Sequence, residues 1–348
     1  MMVRIFALFL VAVLVGCGGG DAPKNDEKSK APAEPVRVRL GFFPNVTHAQ
    51  ALIGVERGDF QKALGDDVKL ETAVFNAGPS VIEAIFAGEL DVSYVGPSPV
   101  INGFMRSKGD ALRVVAGSAE NGIVIVGNKK RGITTLEQLK GGRIATPQLG
   151  NTQDISARYY VMNTFKTPIG NKTGETQIIP TANPDIENLF LKDQLDGAWI
   201  PEPWASRLVA NDLVVVIAEE KDLWESKRFS LTTIIARRKF LEEHPDVVKK
   251  ILTAHVKITA ELQADRAALA PVINASMKRL TTKTLPDKVL LDSLARCEFN
   301  TDPLEDTIRE FQRKGGALKL LPQGEFDFPK LVDRRLLDEI LKAQPATP

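Results

Sequence analysis

Six short segments bring together the polar side chains best suited to holding a small solute: residues 41–50 (GFFPNVTHAQ), 76–81 (NAGPSV), 94–99 (YVGPSP), 117–122 (GSAENG), 146–155 (TPQLGNTQDI) and 199–204 (WIPEPW). None of them contains Lys or Arg. Asn45, His48, Ser80, Ser98, Thr152 and Gln153 supply neutral donors, and the turns at 76–81 and 94–99 open helices whose first N–H groups lack partners and whose N-termini carry partial positive charge. An anion can be held this way without a cationic side chain. A permanently ionised, weakly hydrated group suits such a site better than a phosphate dianion, which usually draws Arg or Lys, so sulfonate is the expected head group. Phe42, Phe43, Tyr94, Trp199 and Trp204 are the aromatic residues expected to shape the organic part of the ligand. An extended segment cannot aim both Phe42 and Phe43 into one cleft, so at least one belongs to the core. Glu202, flanked by prolines, reads either as a ligand contact or as a solvated or lobe-bridging carboxylate.

These turns need a scaffold, and the chain alternates strands and helices to provide one. Residues 36–40 and 68–75 read as strands around a helix over 48–64, and 90–95 and 113–117 continue the series. Between them, Gly78-Pro79 followed by the capping box Ser80-Val81-Ile82-Glu83 marks a helix start, and Ser98 stands as the N-cap of the next helix. Alternation of this kind argues an α/β fold with a mainly parallel sheet flanked by helices, whose ligands collect at the carboxyl ends of the strands. A second unit repeats the logic over 143–200, and Leu195-Asp196-Gly197-Ala198-Trp199-Ile200 echoes Leu90-Asp91-Val92-Ser93-Tyr94-Val95. We expect two related lobes, 36–121 plus 236–348 and 122–235, facing each other across a cleft. Two crossings, near 119–122 and 230–236, would form the hinge. From Arg238 onward the pattern is helical, with a long helix opening at His244-Pro245-Asp246.

The formal net charge of +1 gives no basic field for nucleic acid. Residues 1–16 have the charge and the apolar run of a signal peptide, and Leu14-Val15-Gly16-Cys17 resembles a bacterial lipobox, in which Cys17 takes the lipid. Residues 17–35 then form a solvated tether. The expected location is extracytoplasmic, anchored to the membrane. Only Cys297 remains, so no intrachain disulfide is expected and the thiol is assigned to core packing. The chain lacks a nucleophile elbow, a P-loop and a dinucleotide fingerprint, and His48, His244 and His255 do not cluster. We expect no enzyme activity, no cofactor and no metal.

GFFPNVTHAQALIGVERGDF, FNAGPSVIEAIFAGELDVSYVGPSPVIN, IATPQLGNTQD and DGAWIPEPWASRLV together resemble the extracytoplasmic solute-binding proteins of ABC importers, in the group that handles aliphatic sulfonates, taurine, nitrate and thiamine precursors. The resemblance runs over residues 36–342 and is strongest for the sulfonate branch. It implies two α/β lobes joined by two strands (type II), a small organic anion as ligand, and a monomer that docks on a membrane permease with an ATPase subunit behind it. The contacts it implies are Phe43, Asn45, His48, Gly78, Ser80, Ser98, Thr152, Gln153 and Glu202. Binding of nitrate or a thiamine-precursor pyrimidine is the alternative. A pyrimidine-synthesising enzyme of the same fold uses a cysteine-rich motif that this chain lacks.

Overall fold

The computed structural model describes residues 35–324 and 326–343, so the expected leader and the lipidation at Cys17 lie outside the described residues. Eleven strands are present among them: β1 (Val36–Phe42), β2 (Val68–Val74), β3 (Val92–Val95), β4 (Leu112–Asn121), β5 (Ile123–Asn128), β6 (Arg143–Thr146), β7 (Gln177–Pro180), β8 (Gly197–Pro201), β9 (Val214–Glu219), β10 (Ser230–Arg237) and β11 (Cys297–Phe299). They form two sheets, in the orders β11-β4-β10-β3-β1-β2 and β7-β6-β8-β5-β9. Each is mixed but mainly parallel in strand direction, as expected: β1, β2, β3 and β4 run one way in the first sheet, and β6, β7, β8 and β9 in the second. β1 pairs in parallel with β2 and β3, and β6 with β7 and β8, but β4, β10, β5 and β9 run antiparallel to their neighbours. The cause is topological: β5 and β10 are the strands by which the chain enters each sheet from the other, and they alone of these four run against the βαβ direction.

The echo noticed in the sequence is a structural repeat. In the first lobe Asp91 accepts from the Arg39 backbone N–H (3.0 Å) and from Arg39 Nε (2.8 Å). In the second Asp196 accepts from the Arg143 N–H (2.7 Å) and Arg143 Nε (3.1 Å). Each aspartate thus ties the start of its lobe's central parallel strand to the strand that follows the aspartate, with Leu40 opposite Val92 and Ile144 opposite Gly197.

The chain leaves the first sheet at Asn121 and Gly122, which hold φ of 60° and 75°. Two successive left-handed residues turn the strand sharply, and a Cβ on Gly122 would lie 2.6 Å from Cys297 Sγ. The return crossing occupies residues 220–229, between the end of β9 and the start of β10. The expected crossing at 230–236 and the lobe division at 235 therefore fall inside β10, which pairs with β3 and β4 in the first sheet. An apolar stretch such as 231–236 reads the same whichever sheet it joins, so its partner was not legible.

Helices Ala49–Glu56, Asp59–Leu64 and the long Pro245–Asp265 cover one face of the first sheet, and Leu52, Phe60, Ile251, Leu252 and Leu262 are completely buried there. The helix expected over 48–64 is broken at Gly58, whose φ of 71° ends the first segment. Helix Glu305–Ala317 packs against both Pro97–Arg106 and Thr152–Tyr160, one helix from each side of the crossings. Cys297 is a free, buried thiol.

Candidate functional site

Four helices begin around one small cavity. Gly78–Phe86, Pro97–Arg106, Thr152–Tyr160 and Asn183–Leu191 each present their N-terminal turn to it, through Ala77 and Gly78, Gly96 and Pro99, Asn151 to Gln153, and Asn183. The cause lies in the sequence: Pro sits in the first turn of three of the four helices, where its fixed φ starts a helix and its missing N–H costs nothing. Phe43, Asn45, Thr47, His48, Leu231 and Thr232 also line it. The cavity measures about 30 Å³, room for water but not for an organic molecule. No Asp, Glu, Lys or Arg lines it.

The polar atoms at this cavity are short of partners. Among the described residues, Ser98 Oγ, Thr152 Oγ1, Asn183 Oδ1 and Thr232 Oγ1 are buried with no hydrogen bond. Thr152, Asn183 and Thr232 line the cavity and Ser98 sits in the first helical turn beside it. Orphaned buried hydroxyls and amides are rare because each carries a desolvation cost of about 1–3 kcal/mol. Only Arg237 Nε, Ser276 Oγ and Asn300 Oδ1 are in the same condition elsewhere among the described residues.

His48 is buried and lines the cavity. Burial pushes its pKa down to about 3, so the imidazole is neutral at pH 7. Its Nδ1 accepts from the Phe43 N–H at 3.4 Å, which leaves Nε2 as the protonated, donating nitrogen. The Phe43 ring lies against it, tilted by 31° with the ring centres 4.3 Å apart. Asn151 caps the helix Thr152–Tyr160 by accepting from the Asp154 N–H (2.8 Å) and donates Nδ2 to Gln153 Oε1 (3.0 Å). Asn45 Oδ1 accepts from Trp204 Nε1 at 2.8 Å, a bond between the two lobes. Gly96 is the point of closest approach: a Cβ there would meet Thr152 Oγ1 at 2.4 Å. Any larger residue would hold the two helix starts apart.

Of the residues expected to contact a ligand, Phe43, Asn45, His48, Gly78, Thr152 and Gln153 line this cavity together. Ser98 is adjacent, but it is not an N-cap; Gly96 takes that place and Ser98 lies inside the helix, because Pro97 is helical already. Ser80 is exposed and outside the site. The helix starts at Gly78, so the expected capping box does not form and Ser80 points away on the third helical residue. Trp204 stands behind Asn45 rather than in the wall. Glu202 is fully buried and committed elsewhere: it accepts from Ser206 N (3.1 Å), Ser206 Oγ (2.9 Å), Ser293 Oγ (3.2 Å) and Arg296 Nη1 (2.8 Å). It bridges the lobes and does not face the cavity. Burial pushes its carboxyl up against the pull of Arg296. Tyr94 is core, its hydroxyl 3.0 Å from His255 Nδ1. Trp199 faces a different cavity.

Sequence reasoning missed Asn183 and Thr232. Asn183-Pro184-Asp185 after β7 has the form of Gly78-Pro79-Ser80 after β2, a signal that was available. Thr232 sits in β10 with its hydroxyl unpaired while its neighbour Thr233 bonds the Val95 carbonyl at 3.0 Å, and nothing local distinguishes the two. The carboxylates near the site are all internally paired: Glu120 with Arg228, Asp154 with Arg158, Glu202 with Arg296. A cation in this cavity would find no free carboxylate.

Two lobes, each a mixed sheet flanked by helices and joined by two crossings, with helix N-termini meeting between them, define the type II periplasmic binding-protein fold. The chain aligns over 87% of its length with 99% of the alkanesulfonate-binding protein SsuA from Xanthomonas axonopodis pv. citri bound to MOPS, with a TM-score of 0.69 and 22% identity. It aligns over 90% with 90% of the nitrate-binding protein NrtA from Synechocystis PCC 6803, with a TM-score of 0.73 and 14% identity. The chain belongs to the NMT1-like family, whose model matches residues 31–275. A Bacillus subtilis (strain 168) protein provisionally named as aliphatic sulfonates-binding is 27% identical over 317 residues, 89% of this chain and 85% of that one.

Proposed function

We propose that this protein is the solute-binding component of an ABC importer and that it captures a small organic anion, an aliphatic sulfonate, between its lobes. The observation that carries the proposal is the pairing of four helix N-termini with four orphaned buried polar atoms at a cavity without charged side chains. Such a site offers partial positive charge and unpaired donors, which three sulfonate oxygens satisfy without a counter-charge. The name of the Bacillus relative and the sulfonate buffer in the Xanthomonas structure support the same head group. At about 30 Å³ the cavity holds no whole sulfonate, so capture involves parting of the lobes about the two crossings, with residues 36–121 and 230–343 moving against 123–219. The protein is then a monomer, extracytoplasmic, tethered through lipid on Cys17, and delivers its ligand to a permease coupled to an ATPase subunit. It binds and releases without chemistry.

A thermal-shift panel on the purified mature chain tests this: ethanesulfonate, taurine, MOPS, nitrate and a hydroxymethyl pyrimidine, each followed by recovery of the compound. A sulfonate that raises Tm with concentration and returns unchanged is the expected result. A shift with nitrate or the pyrimidine alone overturns the substrate class, and turnover of any compound overturns the binding role.

A further inference from the structure

A second cavity, about 720 Å³, lies between helix Thr152–Tyr160, the crossing segment 220–226 and helix Glu305–Ala317. It shares a wall with the cleft, since the first turn of Thr152–Tyr160 lines the small cavity and Ser156, Tyr159 and Tyr160 line this one. Its character is the reverse. The Tyr159, Tyr160, Trp199 and Trp224 side chains form the walls. Its charged residues are Glu220, Glu225, Asp306, Glu310, Arg313 and Lys314, four acidic against two basic. At the base, the buried Glu220 carboxylate accepts from Ser156 Oγ (2.5 Å), Trp199 Nε1 (2.6 Å) and Trp224 Nε1 (3.2 Å).

Lys314 shows what this enclosure recognises. Its ammonium sits 3.4 Å from the centre of the Trp224 ring and 5.7 Å from that of Tyr159, with Glu310 at 3.9 Å. Among the described residues it has no hydrogen-bond acceptor, so the aromatic face and the surrounding carboxylates hold it by electrostatics alone. A cation over an indole face is stabilised by the ring quadrupole, most strongly when desolvated. Arg313 is occupied, bonded to Glu310 and to Tyr159 Oη (3.1 Å).

We propose that this cavity is a second small-molecule site, an aromatic cage for an organic ammonium ion, in which Lys314 serves as a tethered occupant that an external ammonium displaces. The long lysine stem can carry its head to the open side of the cavity, while Glu220, Glu310 and the Trp224 face stay in place for the incoming cation. Because the site touches helix Thr152–Tyr160 and a crossing segment, its occupancy bears on how the lobes close. The proposal does not depend on the nature of the ligand in the cleft.

The test titrates tetramethylammonium chloride, with sodium chloride at matched ionic strength as the control, into the wild-type mature chain and the Lys314→Met variant. Tryptophan fluorescence and Tm are read in parallel. Met keeps the stem and removes the competing charge, so roughly tenfold tighter binding of tetramethylammonium is expected in the variant, with a fluorescence change saturating in both. Equal affinity in the two proteins, or no saturable response in either, overturns the proposal. Sodium benzoate is the opposing probe: if it binds the wild type and the variant loses it, the cavity is an anion site and the cage assignment fails. A Lys314→Met variant that does not fold is replaced by Lys314→Gln, read in the same way.

Discussion

The two cavities of this protein differ in almost every property a binding site can have. The cleft cavity is about 30 Å³, neutral, and surrounded by buried hydroxyls and an amide oxygen without partners. The second is about 720 Å³, aromatic and charged, and the carboxylate at its base, Glu220, is already bonded within the chain, as is Arg313. Size alone favours the second. Polar satisfaction favours the first, because a fold rarely keeps buried polar atoms unpaired without use for them. Behind each cavity stands a buried glutamate. Glu202 is matched with Arg296 across the lobes, and Glu220 is held by three neutral donors. The same residue type thus acts as a charged latch in one place and, in the other, as a buried acid whose hydration shell is replaced by three protein donors.

The largest expected effect separates these two glutamates. Glu202→Ala takes away the buried partner of Arg296, which keeps Glu219 at 3.4 Å and Ser206 Oγ at 2.7 Å, and should cost about 3 kcal/mol of stability, whereas Glu220→Gln, which keeps an acceptor and leaves no buried cation directly bonded to it, should cost roughly 1 kcal/mol. Equal losses in chemical denaturation would erase the distinction. Next comes Gly96→Ala, whose Cβ meets Thr152 Oγ1 at 2.4 Å. It should weaken binding in the cleft about 100-fold, with at most ~1–3 kcal/mol lost from the fold. Calorimetry on the best ligand of the panel measures the first and a melting curve the second, while tetramethylammonium binding at the second cavity should stay as it was.

The pH dependence follows from two buried imidazoles. His48 and His255 both have pKa pushed down to about 3 by burial. In the unfolded chain they titrate near the ordinary histidine value of about 6.5, so below that pH the unfolded state binds more protons and stability falls as pH drops toward 3. Each contributes a slope of up to about 1.4 kcal/mol per pH unit across that window. His48→Gln should remove its share of the slope between pH 6 and 4, and an unchanged slope would falsify the neutral assignment. Above pH 6.5 the cleft has nothing to titrate, so affinity there should be flat. The smallest effect is the most diagnostic. Ser98→Ala deletes an orphaned hydroxyl and should raise the stability of the ligand-free protein by up to ~1 kcal/mol while weakening the ligand about tenfold. A loss of both would mean that Ser98 is ordinary scaffold.

Much of the site was legible because it is built from turn chemistry. Gly78-Pro79, Pro97 and Asn151-Thr152 start helices by local rules; the segment carrying the last of these gave Thr152 and Gln153, and the separate loop 41–50 gave Phe43, Asn45 and His48, before any tertiary contact was known. The same local rules misassigned Ser80 and Ser98, since a serine near a helix start reads as a cap whether or not the preceding proline has already opened the helix. Local pattern also could not say which of two adjacent threonines in β10 would be satisfied, nor that Glu202 would find Arg296 nearly a hundred residues further along the chain.

By itself the sequence determined the alternation of strands and helices, the Leu-Asp repeat that starts each lobe's parallel strands, and the absence of Lys and Arg from the turns. These depend on residues close in the chain and on backbone geometry. Tertiary structure alone decided that β10 joins the first sheet, that four helix starts meet at one point, and that Trp199 and Lys314 enclose a second cavity with partners from both lobes. Such outcomes depend on pairing between segments far apart in sequence, where an apolar strand or a lone aromatic carries no mark of its partner.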